Sequence, residues 1–140
     1  MTFDFVVKDS SGVPRALFEV KRRAGMNARW AAQLRENLFR DNAVQAVGYF
    51  VIVTPDRLFV WRAGAPLAEQ PIEVPLREVL QKYLNGTALD VSSTSVPTFE
   101  LVVQAWIADL VRGASGDGVP PELLAALRHG ELTTQGESLH

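Results

Sequence analysis

The chain contains no cysteine and only two histidines, His129 and His140. The first absence excludes disulfides and thiolate-held zinc. The second makes a Ser-His-Asp or His-metal centre unexpected, since it would have to draw on a helix end and on the final residue. Neither a GxxxxGK[ST] phosphate loop nor a GxGxxG fingerprint occurs, and no fixed-period repeat suggests a solenoid. No run of 18 apolar residues is present, and no basic N-terminal region leads into an apolar stretch. Neither a membrane span nor a signal peptide is therefore expected, and a cytoplasmic location fits these absences.

What the chain does have is length and apolar content enough for one domain: 140 residues, 47% of them hydrophobic. Its net charge of −2 conceals an asymmetry. Residues 1–62 carry ten Lys or Arg against six Asp or Glu, a net of +4, and residues 63–140 carry four against ten, a net of −6. The basic half holds Lys21, Arg22, Arg23, Arg29, Arg35 and Arg40 in close succession. They form either a phosphate-facing surface or an ordinary solvated helix face. The acidic second half argues against strong nonspecific affinity for nucleic acid.

The most informative stretch is residues 3–21. Phe3, Phe5 and Val7 alternate with Asp4, Val6 and Lys8, and Ala16, Phe18 and Val20 alternate with Leu17, Glu19 and Lys21. This period of two describes a pair of strands with different faces, and DSSGVP between them makes a hairpin. If Lys8 pairs with Arg15, antiparallel counting sets Asp4 opposite Glu19, with Lys21 two residues on and on the same face. A slip of one residue would separate the acids. Only the register that joins them also gathers Phe3, Phe5, Val7, Phe18 and Val20 on the other face. Two acids side by side destabilise a sheet unless a cation or a partner offsets them, and hard oxygen ligands suit Mg2+ or Mn2+.

In Asp4, Glu19-Val20-Lys21, a helix containing Gln33 and the apolar strand at 49–53, the chain resembles the PD-(D/E)XK nuclease superfamily. More narrowly, it resembles nuclease-type domains related to the N-terminal region of type I restriction R subunits. The resemblance spans roughly residues 3–62. It implies a restriction-endonuclease-like α/β core, a mixed β-sheet flanked by helices, here lacking the usual N-terminal helix and first strand. It further implies that Asp4 and Glu19 hold Mg2+ or Mn2+, that Lys21 supports the attacking water or the transition-state charge, and that Gln33 orients the group. Some branches carry QxxxY on the helix; here Gln33 is followed by Asn37.

Elsewhere the pattern is one of ordinary structural elements. Asn27 suits the cap of a helix over 28–40, with Met26, Trp30, Ala31, Leu34 and Leu38 at helical spacing for packing on the sheet. Trp30 is expected in the core. Gln33 and Asn37 lie one turn apart on its flank, beside Arg29 and Arg40. YFVIV at 49–53 reads as a central strand parallel to 16–21, and TPDR turns the chain into a returning strand at 58–61. Residues 63–75 read as a surface loop with an extended piece at 72–74, followed by a helix from Pro75 that stops at Asn85-Gly86. The Ser- and Thr-rich residues 87–97 connect it to a helix at about 99–112, expected to cover the sheet face left open by the missing N-terminal helix. A short helix fits PELLAALRHG. The domain is thus expected to comprise a nuclease-like core at 1–62, a helical completion at 63–130 and a flexible tail at 131–140.

The function expected from these readings is metal-dependent hydrolysis of nucleic-acid phosphodiesters, DNA before RNA, by an endonuclease or exonuclease in a setting of restriction or defence. Asp4, Glu19, Lys21 and Gln33 are the candidate catalytic residues, and Arg22, Arg23, Arg29, Asn37 and Arg40 the candidate nucleic-acid contacts. The alternative is a nuclease-like module without catalysis that binds nucleic acid or a partner protein. An exposed sheet edge could pair with a second copy or a partner subunit. Glu19 and Lys21 could also be no more than the charged edge of an ordinary α/β domain.

Overall fold

The computed structural model describes residues 4–41, 48–80, 96–114, 116 and 118–134. They form an α/β fold around one mixed, open sheet. Its strands are β1 (Phe5–Lys8), β2 (Pro14–Val20), β3 (Tyr49–Val53), β4 (Arg57–Trp61), β5 (Ile72–Pro75) and β6 (Glu131–Thr134), ordered β5-β4-β3-β2-β1-β6. β2 and β3 run parallel, joined through helix α1 (Ala28–Asp41), and the other pairings are antiparallel.

Register in the first hairpin follows the apolar pattern. Phe5 faces Phe18, Val6 faces Leu17 and Val7 faces Ala16. A bulge then shifts Lys8 onto Pro14 instead of Arg15. The turn itself supplies the reason. The Asp9 carboxylate accepts from the Ser11 and Val13 amides at 2.9 and 3.0 Å, and Gly12 sits at φ 82°, a conformation that suits glycine. Such a turn takes up one residue more on the second strand than a plain count allows, and it leaves the pairing above it unchanged.

Both sheet faces are covered. Phe5, Val7, Phe18, Val20, Val51, Val53, Leu58 and Val60 pack beneath α2 (Leu76–Val79), α3 (Val96–Val111) and α4 (Pro121–Leu127). Phe99, Val103, Trp106, Ile107 and Leu110 are the buried stripe of α3, and the Trp106 ring meets Phe18 edge-on at 6.4 Å. Full burial of a large apolar side chain stabilises the fold by about 1.5–3 kcal/mol relative to leaving it exposed. α3 therefore supplies the cover expected for this face, while its Leu101 points outward, 64% exposed.

The opposite face belongs to α1. Val6, Leu17, Phe50, Ile52, Phe59 and Trp61 pack against Ala31, Leu38 and Phe39, with Trp30 half-buried over Phe59. The helix starts where the Trp30 amide donates to Asn27 Oδ1 at 2.9 Å.

Two expectations change. Glu131–Thr134 is not a loose tail: it pairs antiparallel with β1 along Phe5–Lys8, because Leu132 can lie beside the buried Val7. Arg35 is not on a phosphate-facing surface. Only 3% exposed, it donates to the Ala65 and Pro66 carbonyls at 2.7 and 3.0 Å and stacks over Phe39 and Trp61, fastening α1 to the loop after β4. The helix expected from Pro75 to Leu84 is described only as α2, and its remainder, with Phe3, His140 and the 87–95 connection, lies outside the described residues. Among the described residues, no helix is long and apolar enough to cross a membrane.

Candidate active site

Glu19 is the penultimate residue of β2 and shares its sheet face with Leu17 and the helix α1. It is a carboxylate in a position that the strand pattern reserves for an apolar residue, and it is only 5% exposed. Extending the hairpin register by one pair sets Asp4 opposite it. The Asp4 carboxyl is near enough for its charge to act on that of Glu19. Asp4 Oδ2 also accepts the Val20 amide at 2.7 Å, which pins the start of β1 across the end of β2.

Beyond Val20 the ladder with β3 continues for one more bond, from the Lys21 amide to the Val53 carbonyl at 2.9 Å. This keeps Lys21 in strand alternation, on the Glu19 side. Its Nζ lies 3.3 Å from Glu19 Oε2, and its side chain is 37% exposed. The chain then leaves through Gly25, whose amide donates to Asp56 Oδ2 at 3.1 Å. Asp56 also receives the Thr54 hydroxyl and the Arg57 guanidinium, so the β3–β4 turn and the exit from β2 are tied together beside the charged cluster. Burial acts to raise the Asp56 pKa, but the bonds from Gly25 and Thr54 and the charge of Arg57 hold it below the ordinary value.

The electrostatics of Glu19 are unusual for a surface-strand acid. Burial, reinforced by the Asp4 charge and opposed by that of Lys21, pushes its carboxyl up to about 7. One of its oxygens is paired to Lys21, while Oε1 is buried without a hydrogen-bond partner. Buried oxygens without partners are rare in folded proteins, and this one belongs to a carboxyl on which the Asp4 charge also acts. Two acids so placed favour the protonated form of one of them or a cation nearby, and the Lys21 ammonium is one such cation.

The expected residues therefore divide. Asp4, Glu19 and Lys21 come together. Gln33 does not join them: its amide donates to Asn37 Oδ1 at 3.1 Å, and both side chains are exposed on α1. Arg22 and Arg23 are exposed on the segment between the cluster and α1, Arg29 is exposed in the first turn of α1, and Arg40 forms an ion pair with Glu36 at 2.8 Å. Glu100 on α3 was missed. It is half-buried, and burial together with the Asp4 charge raises its pKa, so a third acid acts on the same corner. It is the only charged residue between Val96 and Ala108, a signal that helical spacing alone did not flag. No group of three or more His, Cys, Asp or Glu residues forms a ready-made metal cage among the described residues.

Two oxygens of different strands, one of them buried without a partner, are a donor set of the kind that hard divalent cations take. The chain was compared with protein-family models, with characterised proteins and with solved structures, and none of them matches it.

Proposed function

We propose that the chain is a metal-dependent phosphodiesterase acting on nucleic acid, DNA before RNA, built on a restriction-endonuclease-like core. The observation that carries this reading is the apposition of Asp4 and Glu19 with Lys21 alongside, where Glu19 Oε1 is buried and unpartnered. An apolar residue at position 19 would complete the α1 core at no electrostatic cost, so the acid is unexplained by folding alone.

Asp4 and Glu19 are the residues that would hold Mg2+ or Mn2+. When bound, such an ion supplies Lewis-acid polarisation of a phosphodiester and lowers the pKa of water. Lys21 holds the attacking water and offsets charge developing on the phosphoryl oxygens, which requires its ammonium to turn from Glu19 Oε2 toward substrate. Its partial exposure permits that movement. Arg22, Arg23 and Arg29 provide sequence-independent attraction for the phosphate backbone on the way to α1. Gln33, bonded to Asn37, serves as part of that polar surface and not as a partner of Lys21.

The test is cleavage of plasmid, single-stranded DNA and RNA with Mg2+ or Mn2+, comparing wild type with Glu19→Gln and Lys21→Ala. Metal-dependent cutting that falls at least about 100-fold in both variants is the expected result. A second reading, a nuclease-like module that binds without cutting, is favoured by the closure of Lys21 on Glu19 and of Gln33 on Asn37. It predicts that wild type binds nucleic acid but leaves it intact. Thermal denaturation with Mn2+ separates the two steps, since loss of a metal-induced shift in Glu19→Gln tests the ligand assignment without requiring turnover.

A further inference from the structure

Asp4 and Glu19 sit at one end of the sheet; at the other end, and on the opposite face, a pocket of about 350 Å3 opens between β3, β4, β5 and the start of α4. The pairing of Ala16 with Tyr49 and of Glu19 with Ile52 sets the pocket three residues down the β2–β3 ladder from Glu19, or about 10 Å. Its apolar walls are Tyr49, Val60, Ile72, Pro120 and Pro121. Ile72 is 58% exposed on the edge strand β5, and Val60 forms a buried base. The volume lies at the small end of the range for organic ligands.

The charged groups of the pocket do not balance. Arg62 and Glu69 neutralise each other across 2.7 Å. Glu122 receives the Tyr49 hydroxyl at 3.2 Å, and among the described residues it forms no ion pair. Arg15 is near enough to act on the Tyr49 phenol, but burial and the Glu122 carboxylate outweigh it and raise the phenol pKa. The lining thus has one carboxylate in excess, held at the hydroxyl edge of a tyrosine. A pocket lined by both an excess carboxylate and an aromatic ring can hold an ammonium ion, through charge from the one and the ring quadrupole of the other.

We propose that this pocket binds a small organic ammonium ion, its apolar body against Val60, Ile72 and the two prolines and its cationic head on Glu122 and the Tyr49 ring. An organic anion of the same size would meet the excess negative charge. A neutral molecule would fill the walls but leave the carboxylate as it is. The assignment is independent of the acid pair on the other face and stands whether or not that pair cuts nucleic acid.

The experiment is titration of the full, 15N-labelled chain with three compounds of nearly equal size: 2-phenylethylamine, 2-phenylethanol and phenylacetate. Saturable amide shifts confined to 49–50, 60–62, 70, 72 and 122–124 are expected, with the amine binding about fivefold tighter than the alcohol at low salt and phenylacetate weakest. Glu122→Gln, at an exposed side chain, should reduce the amine to the affinity of the alcohol and leave the alcohol unchanged. Glu19→Gln should leave all three titrations as in wild type. The proposal is overturned by the absence of saturable shifts with the amine, by equal binding of phenylacetate, or by an amine preference that survives Glu122→Gln. Loss of binding in Glu19→Gln would overturn it too, by placing the ligand at the wrong end of the sheet.

Discussion

Replacing Glu19 by glutamine should remove a pH dependence of stability that the wild-type chain carries across the neutral range. The carboxyl has an ordinary pKa of 4.5 and is pushed up to about 7 in the fold, first by burial and then by Asp4. Between those values the folded chain holds a proton that the unfolded chain has released, so stability falls as pH rises. The contribution is fully present below about 4.5 and is lost once pH passes about 7. At about 1.4 kcal/mol for each pH unit of separation, the loss is roughly 3 kcal/mol, and at 5% exposure solvent screening does little to reduce it. That is a large share of the 5–15 kcal/mol typical of a domain. Urea unfolding of wild type and Glu19→Gln at pH 5 and pH 8 measures it, because glutamine keeps the shape but cannot ionise. Glu100 is also raised and contributes in the same direction, so the decisive quantity is the difference between the two proteins and not the wild-type slope. Stability differing by less than about 1 kcal/mol between the proteins over this range would refute the account of Glu19 as a buried acid pressed against another acid.

Other perturbations test the supports of the site. Asp56→Asn should cost about 1–2 kcal/mol by weakening the bonds from Gly25, Thr54 and Arg57. Because the Asp56 pKa is depressed, its contribution is present above the ordinary 3.8 and is lost as pH falls below it, so the gap between wild type and variant should close in acid unfolding. Arg35→Ala should cost about 3 kcal/mol in urea, since it deletes two bonds to carbonyls and leaves a buried gap between Phe39 and Trp61; a cost under 1 kcal/mol would contradict that role. Gly48→Ala should destabilise by about 1–3 kcal/mol, read as a lowered urea midpoint, because a Cβ there would lie 2.6 Å from the Arg15 carbonyl carbon, a backbone atom that cannot step aside.

Local alternation was enough to place the central part of the fold. In the hairpin, the demand that Phe5, Val7, Phe18 and Val20 share a face selects one register, and the pairs from Phe5 to Val7 obey it. The unbroken apolar run of β3 requires cover on both faces, which α1 on one side and α3 on the other provide. What alternation could not reveal is a choice made at a distance. Glu131 to Thr134 has little apolar content of its own, and it becomes a strand only because β1 offers an unpaired edge beside Val7. Arg35 looks like one more cation in a basic run. Its burial depends on two carbonyls some 30 residues later, in a loop whose path no local pattern specifies.

The same division runs through the candidate site. The Asp4–Glu19 apposition depends on a single hairpin, so it could be counted out along the strands, and the Lys8 bulge does not disturb it because the extra residue enters at the turn end, away from Asp4. Lys21 follows by alternation, held in register by its amide bond to Val53. Gln33 and Glu100 depend instead on how a helix is rotated and where along the sheet it lands. Helical spacing places Gln33 on the flank of α1, and from there its nearest polar partner is Asn37, one turn away. Glu100 follows Phe99, whose burial against the sheet sets the position of the helix and brings the neighbouring acid under the influence of Asp4. Acids supplied by one hairpin can thus be read from its own residues, whereas an acid brought by a helix some 80 residues later becomes visible only when the core residue beside it has a known seat.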